Sequence, residues 1–341
     1  MFKLYTLKQI PFPIVIAISF LLSSCTKGYL INEDEHYVQL NSHLVAGNAM
    51  RLYLGNTWHF TDTTNWYWPT FRKNAIVELY ENGKFIERLE NKELKWIPDQ
   101  DSHYDGGYYF FNYYSKQKIK ANHTYTIKVE TDNKIITATT HVPQIPDLVS
   151  VDTTRYFLTN YSELESNEAV RFDITLNDPD TTNYYLLQLT EKDMSRYYRT
   201  DSNFVYSLNN QLDSIDIATL VSFTCTDPII EDWISTDDKY TALFFKDNIF
   251  NGQQYTIQIS VNDAQIKPRY YFDSIHVPVN IELYAINKDF YEYHRRYFEY
   301  IYDYDNPYRK PENLYSNING GLGIMDGATP ACKTLLFNIE E

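Results

Sequence analysis

Cys25 is the residue whose surroundings assign it a definite chemistry. It closes the run Phe20-Leu21-Leu22-Ser23-Ser24-Cys25, behind an apolar stretch that begins near Ile10 and is preceded by Lys3 and Lys8. A short basic segment, an apolar core too short to span a bilayer and small residues ahead of a cysteine read as a cleaved leader, not a transmembrane helix. Removal of residues 1–24 leaves Cys25 first, and acyl chains such as palmitate are expected on it. Each buried methylene contributes about 0.8 kcal/mol, so several chains hold a polar body at a membrane surface.

Other reactive groups are scattered. No His-Glu-x-x-His pair, Gly-x-Ser-x-Gly elbow or Cys-x-x-Cys pair occurs in the chain. Of the eight histidines, His36 with His43, or His141 alone, lack metal-ligand spacing. Asp178 and Asp180 have the chemistry of a glycosidase pair or a calcium site. Their Asp-Pro turn explains them more cheaply, since an Asp there bonds its own backbone. The expectation is a protein that is not an enzyme and holds neither metal nor cofactor. Cys225 and Cys332 remain as a possible disulfide, which spacing alone does not decide.

Binding residues are sought among aromatics outside alternating strands. Trp58-His59-Phe60, Trp66-Tyr67-Trp68-Pro69 and Phe71 lie in a polar, loop-like segment, and Tyr108 and Tyr109 follow Gly106-Gly107. Trp58, Trp66, Tyr67, Trp68, Phe71, Tyr108 and Tyr109 are the candidates for a glycan or peptide ligand or a protein partner, because a flat apolar ring with a polar tip suits both. An insertion folded onto its own sheet is the competing explanation. A third pattern is Asp, then Ser or Thr, then a methyl-bearing residue. It resembles O-glycosylation acceptors of exported Bacteroidota proteins and marks Thr63, Thr153, Thr181, Ser214 and Ser274. Used acceptors have to lie on exposed loops, while plain turn chemistry accounts for the pattern equally well.

Composition sets the frame that positions these residues. Cleavage takes away Lys3 and Lys8 and no acids, leaving 28 basic against 45 acidic residues and a formal charge of −17. That field repels phosphate backbones and excludes nucleic acid as a partner. The 32 Tyr, 19 Phe and 5 Trp against only 11 Gly favour pleated sheets. Most of the Tyr are expected in cross-strand pairs.

The patterning is period two almost throughout. Tyr37–Leu40, Met50–Leu54, Ala75–Tyr80 and Phe85–Leu89 alternate, and Asn82-Gly83 between the last two is a hairpin signal because both residues tolerate positive φ. His123–Glu130 turns at Asp132-Asn133 and returns as Ile135–Thr140. Val142-Pro143-Gln144-Ile145-Pro146 then ends the first unit. Ala169–Leu176, Tyr184–Leu189 and Gln254–Val261 repeat the theme. Between Asn287 and Tyr304, Phe290, Tyr293, Tyr297, Ile301 and Tyr304 step by three and four, which predicts an amphipathic helix capped by Asn287 and packed on the second unit. The expected fold is mainly all-β: two immunoglobulin-like β-sandwich domains in tandem, plus this C-terminal helix and a Gly-rich closing segment. The expected divisions are residues 1–24 (leader), 25–36 (lipidated tether), 37–146 (first sandwich) and 147–341 (second sandwich with helix 287–304).

Resemblances add an address. Leu22-Ser23-Ser24-Cys25 resembles the bacterial lipobox, Thr26 stands where an inner-membrane retention signal has Asp, and Glu33-Asp34-Glu35 resembles a surface-export signal of Bacteroidota lipoproteins. The tyrosine-rich helix, Asn306-Pro307-Tyr308 and Ser316-Asn317-Ile318-Asn319-Gly320-Gly321-Leu322-Gly323-Ile324 resemble the close of the Bacteroidota lipoprotein family DUF4249. Ile324-Met325-Asp326-Gly327, where Phe and Gly are expected, and a tail from Cys332 to Glu341 depart from its pattern. In the closing segment, glycines at 320, 321 and 323 are expected to serve positive φ or close backbone packing, with Leu322 and Ile324 as apolar plugs. The resemblance implies an outer-membrane lipoprotein, anchored in the membrane, with the periplasmic or the cell-surface face left open. Its implied partner is a TonB-dependent receptor, in nutrient capture or uptake. An adhesin or structural surface lipoprotein is the alternative. Either way, the β units are expected to present their loops away from the bilayer.

Overall fold

The structure, a computed structural model, describes residues 37–57, 71–92, 111–157, 168–192, 218–225, 227–229, 239–240, 242–262, 277–302 and 315–337. The first half holds β1 (Val38–Val45), β2 (Ala49–Asn56), β3 (Ile76–Glu81), β4 (Lys84–Arg88), β5 (Glu90–Asn91), β6 (Tyr113–Lys118), β7 (His123–Thr131) and β8 (Lys134–Val142). The second holds β9 (Asp147–Phe157), β10 (Glu168–Asn177), β11 (Tyr184–Lys192), β12 (Ala218–Leu220), β13 (Phe223–Cys225), β14 (Lys239–Tyr240), β15 (Leu243–Lys246), β16 (Gln254–Asn262), β17 (Val277–Ile286), helix α1 (Lys288–Tyr302) and β18 (Leu322–Phe337).

Local chemistry makes the hairpins. Asn82 and Gly83 take φ of 49° and 77°, the left-handed pair that matches strand twist, and Glu81 faces Lys84 across the turn. Asp132 and Asn133 do the same at 47° and 59°, between β7 and β8. Alternation then decides what is buried: Tyr125, Ile127 and Val129 of β7 point inward while their neighbours face outward.

Three sheets result. A four-stranded sheet, β4-β3-β7-β8, and a five-stranded one, β14-β13-β16-β10-β9, each lie against a nine-stranded sheet of order β12-β11-β17-β18-β1-β2-β6-β5, with β15 also on β11. This is an all-β sandwich architecture with two cores. One gathers Leu40, Leu52, Ile127 and Ile136 with Met325, and the other gathers Phe172, Leu187, Ile257 and Leu283.

β18 joins the two. Its first half pairs parallel with β1, Gln39 to Leu322 through Val45 to Ala328, and its second half pairs antiparallel with β17, Ile286 to Ala328 through Val277 to Phe337. The closing segment, placed by sequence with the second unit, thus completes the sheet of the first. The tail that departs from the family pattern continues as the distal half of the same strand. Sequence spacing carries no sign of this pairing, because parallel partners 283 residues apart leave no local trace.

Helix α1 begins as expected: the Phe290 amide donates to Asn287 Oδ1 at 2.9 Å. Its buried face is Phe290, Tyr291 and His294, while Tyr293 and Tyr297 are half-buried and stack on each other. Nor does it rest on the second unit alone. It lies over the middle of the nine-stranded sheet, where Phe290 meets both Phe244 of β15 and His43 of β1.

Candidate functional site

The most densely tied region joins the closing segment, the start of α1 and the β1–β18 pairing. Asn319 exchanges both backbone hydrogen bonds with Thr137 of β8, which fastens the four-stranded sheet to the closing segment. The glycines follow from this crowding. A Cβ on Gly320 would stand 2.8 Å from the Ile135 carbonyl oxygen, one on Gly321 2.7 Å from that of Val38, and one on Gly323 2.0 Å from that of Leu40. Gly320 and Gly323 also have positive φ. Ile324 is buried as a plug, but Leu322 is not: it is 42% exposed. Two positions apart, the pair would share a face in a regular strand, but Gly323 between them, at φ +117°, breaks the alternation where the chain enters β18.

Asn317 substitutes for a missing strand. Its Oδ1 accepts from the Met325 amide at 2.9 Å, and its Nδ2 donates to the Met325 carbonyl at 2.7 Å and to Asp289 Oδ2 at 3.0 Å. Asp289, in the first turn of α1, also accepts from Tyr315 Oη. Burial and this carboxylate push the Tyr315 phenol well above its ordinary value. The cap Asn287 donates to His141 of β8 at 3.2 Å through its side chain and to Gly327 of β18 at 3.0 Å through its amide.

Beneath α1 lies a buried ionisable group of three. His43 Nδ1 stands 2.9 and 2.8 Å from the two oxygens of Asp326, whose side chain is fully enclosed. Burial pulls the His43 imidazole down and the Asp326 carboxylate more than reverses it, so the ring is held above its usual value. Burial pushes Asp326 up, and His43 offsets part of that. Both directions describe one proton shared by the pair, which stays electrically neutral overall. His294 faces them from α1, its ring 6.4 Å from that of His43 and packed on Phe244 and Phe290. Burial, with His43 second, drives His294 well below its ordinary value and keeps it uncharged. The arrangement can hold one proton inside the sheet and pin a helix to it. Among the described residues no group of three or more His, Cys, Asp and Glu is placed to hold a metal ion.

Several expected sites meet a different setting. Cys225 and Cys332 are both free thiols, so the possible disulfide is absent. Cys225 is buried on β13 beside Ile259, with its Sγ 3.4 Å from the Gln258 carbonyl, while Cys332 is exposed on β18 opposite Glu282. They belong to different sheets. Thr181 lies in an exposed turn, but exposed Thr153 sits within β9 opposite Phe172, not on a loop. Asp178 bonds outside its own turn, accepting from Tyr185 Oη and from the Gly252 amide at 2.9 Å, 74 residues on. Phe71 bridges to Gly55 and packs edge-on against Tyr53 at 5.5 Å. Cys25, Trp58, Trp66, Tyr67, Trp68, Tyr108, Tyr109, Thr63, Ser214 and Ser274 lie outside the described residues.

Thr57 and Tyr37 are tied by two hydrogen bonds, Thr57 N to the Tyr37 carbonyl at 2.8 Å and Tyr37 N to Thr57 Oγ1 at 3.0 Å. With Phe71 bridged to Gly55, both Thr57 and Phe71 lie at the edge of the body where Tyr37 stands.

Sequence reasoning passed over His43, His294 and Asp326. The available signal was Asp326 itself, an acid standing in the apolar run Leu322–Ala331 at the point of departure from the family pattern. Residues 29–334 match the family described as a domain of unknown function, DUF4249. The chain belongs to this family. Neither the curated proteins nor the solved structures contain a match to it. In this DUF4249 protein the matched region takes in the whole junction, from β1 to Cys332, so the tied closing segment belongs to the family domain.

Proposed function

We propose that this DUF4249 protein is a non-catalytic lipoprotein of the outer membrane, anchored through acylated Cys25 and accessory to a TonB-dependent transporter in nutrient capture. The observation that carries the reading is Ser23-Ser24-Cys25 behind a basic and then apolar leader. Among the described residues no helix is long and apolar enough to cross a membrane, and a lipid anchor supplies attachment without one. The formal charge of −17 after cleavage and the aromatic-rich sequence 58–71 support a binding role near a membrane partner.

The test is expression in a Bacteroidota host with a labelled fatty acid, followed by mild solubilisation and affinity purification. Label on the native protein and not on Cys25→Ala, together with an outer-membrane barrel in the eluate, is the expected result. Label without any barrel, accompanied by adhesion to matrix proteins, would replace the transport reading with the adhesin one.

A further inference from the structure

The chain enters the body beside an open groove of about 540 Å³, lined by Tyr37, Lys134, Ile135, Gly320, Gly321 and Leu322. Three of these are large side chains in the open: Tyr37 is 50%, Ile135 61% and Leu322 42% exposed. Exposed Ile76 lies further along the same cross-strand row, with Glu130 of β7, ion-paired to Lys128, between it and Ile135. Single exposed apolar residues need no explanation, whereas a cluster of them around a groove marks an interaction face. Gly320 and Gly321 shape its floor because the carbonyls of Ile135 and Val38 leave no room for side chains there.

We propose that this face rests on the bilayer that holds Cys25, with the boundary between lipid headgroups and acyl chains as its partner. The proposal rests on reading Cys25 as the anchor. Residues 25–36 reach at most about 40 Å even when fully extended, and they end at Tyr37 on the rim of the groove. The opposite end of β18 is far off: Leu336 lies roughly 45 Å along the strand from Leu322, at about 3.3 Å per residue. The lining chemistry suits the boundary. A tyrosine has an apolar body and a polar tip, Leu322 and Ile135 are apolar, and Lys134 lays an apolar stem under a cation that meets lipid phosphate. Contact of a few side chains is weak by itself. Tethering supplies an effective concentration in the millimolar range, so weak contact suffices to orient the body.

The test uses the full lipidated chain carrying Cys332→Ser, with a bimane label on Leu322→Cys, on Ile135→Cys or on Leu336→Cys. Each is reconstituted into phosphatidylcholine–phosphatidylethanolamine vesicles with brominated or plain acyl chains. All three labelled positions are exposed, so the fold tolerates them. The expected result is loss of bimane fluorescence in brominated vesicles at positions 322 and 135 and none at 336, because a contacting face sits within about 5–10 Å of the acyl boundary. Flotation of the native chain but not of Cys25→Ala tests the anchor separately. If the chain floats and positions 322 and 135 are unquenched, or quenched no more than 336, the bilayer contact is overturned and the anchor stands. A native chain that fails to float overturns both.

Discussion

The Asp326 carboxylate closes on His43 Nδ1 at 2.8 Å, across a parallel strand pairing that joins residues 283 positions apart. The pair lies inside the protein, so its worth is shown by breaking it. Asp326→Leu leaves the His43 ring enclosed without its carboxylate, so burial discharges it and a buried hydrogen bond is lost, which is expected to cost about 1–3 kcal/mol. Replacing both partners, His43→Phe with Asp326→Leu, should recover most of that loss, as removal of a whole buried pair commonly does. Denaturant midpoints of the two variants check this. A double variant no more stable than the single one would contradict it.

Acid should weaken the attachment of α1 through His294. Its folded value is depressed by burial and by His43, so below about pH 6.5 the unfolded chain binds a proton that the folded chain refuses. That contribution to stability is present above pH 6.5 and falls with pH, by up to about 1.4 kcal/mol per unit. His43 has the opposite sign: its raised value makes a contribution present below about pH 6.5 and lost as pH rises through the folded value. Thermal melts from pH 5 to pH 8 should therefore show a smaller loss on the acid side for His294→Phe than for the native chain.

The closing glycines differ from the turn glycines in a measurable way. Gly47 has φ +89° with nothing within 4 Å of an added Cβ, so Gly47→Ala meets backbone strain alone, about 1–2 kcal/mol. Gly323→Ala adds a Cβ 2.0 Å from the Leu40 carbonyl oxygen, where backbone has to move. A cost above about 4 kcal/mol, or failure to accumulate, is expected. Equal costs for the two would mean β1 and β18 separate readily.

Thiol chemistry separates the two cysteines of the body. Cys332 is exposed and should react with a maleimide in the native state. Cys225 is enclosed, and burial pushes its thiol up to about 11, so it should label only in denaturant. One equivalent of label before unfolding and a second after it, counted by mass spectrometry, is the expected outcome. Resistance of both thiols until a reductant is added would show a bridge instead.

Turns and caps were readable because they are local. Asn82-Gly83 and Asp132-Asn133 hold positive φ without help from distant residues, and Asn287 caps α1 through an amide three positions away. The closing glycines were recognised as positions of restraint, yet not what restrains them. Ile135, Val38 and Leu40 belong to strands far back in the chain. The helix was found at its place and its buried face was turned: His294 counts as polar in a hydrophobic stripe, while the structure encloses it among Phe244, Phe290 and Tyr293.

The β-rich class, hairpin turns and helix cap all follow from side-chain type and short-range spacing, where a residue acts on neighbours within a few positions. Cys25 with its small preceding residues is of this kind, and so is the acidic charge. The burial of Asp326, its pairing with His43 and the close approach of Gly323 to Leu40 are of another. They arise when β18 inserts between β1 and β17, which couples residues that neither charge nor periodicity links. A strand alternates with the same period whatever its partner, so pairing across hundreds of residues is settled by which faces can be buried together in three dimensions.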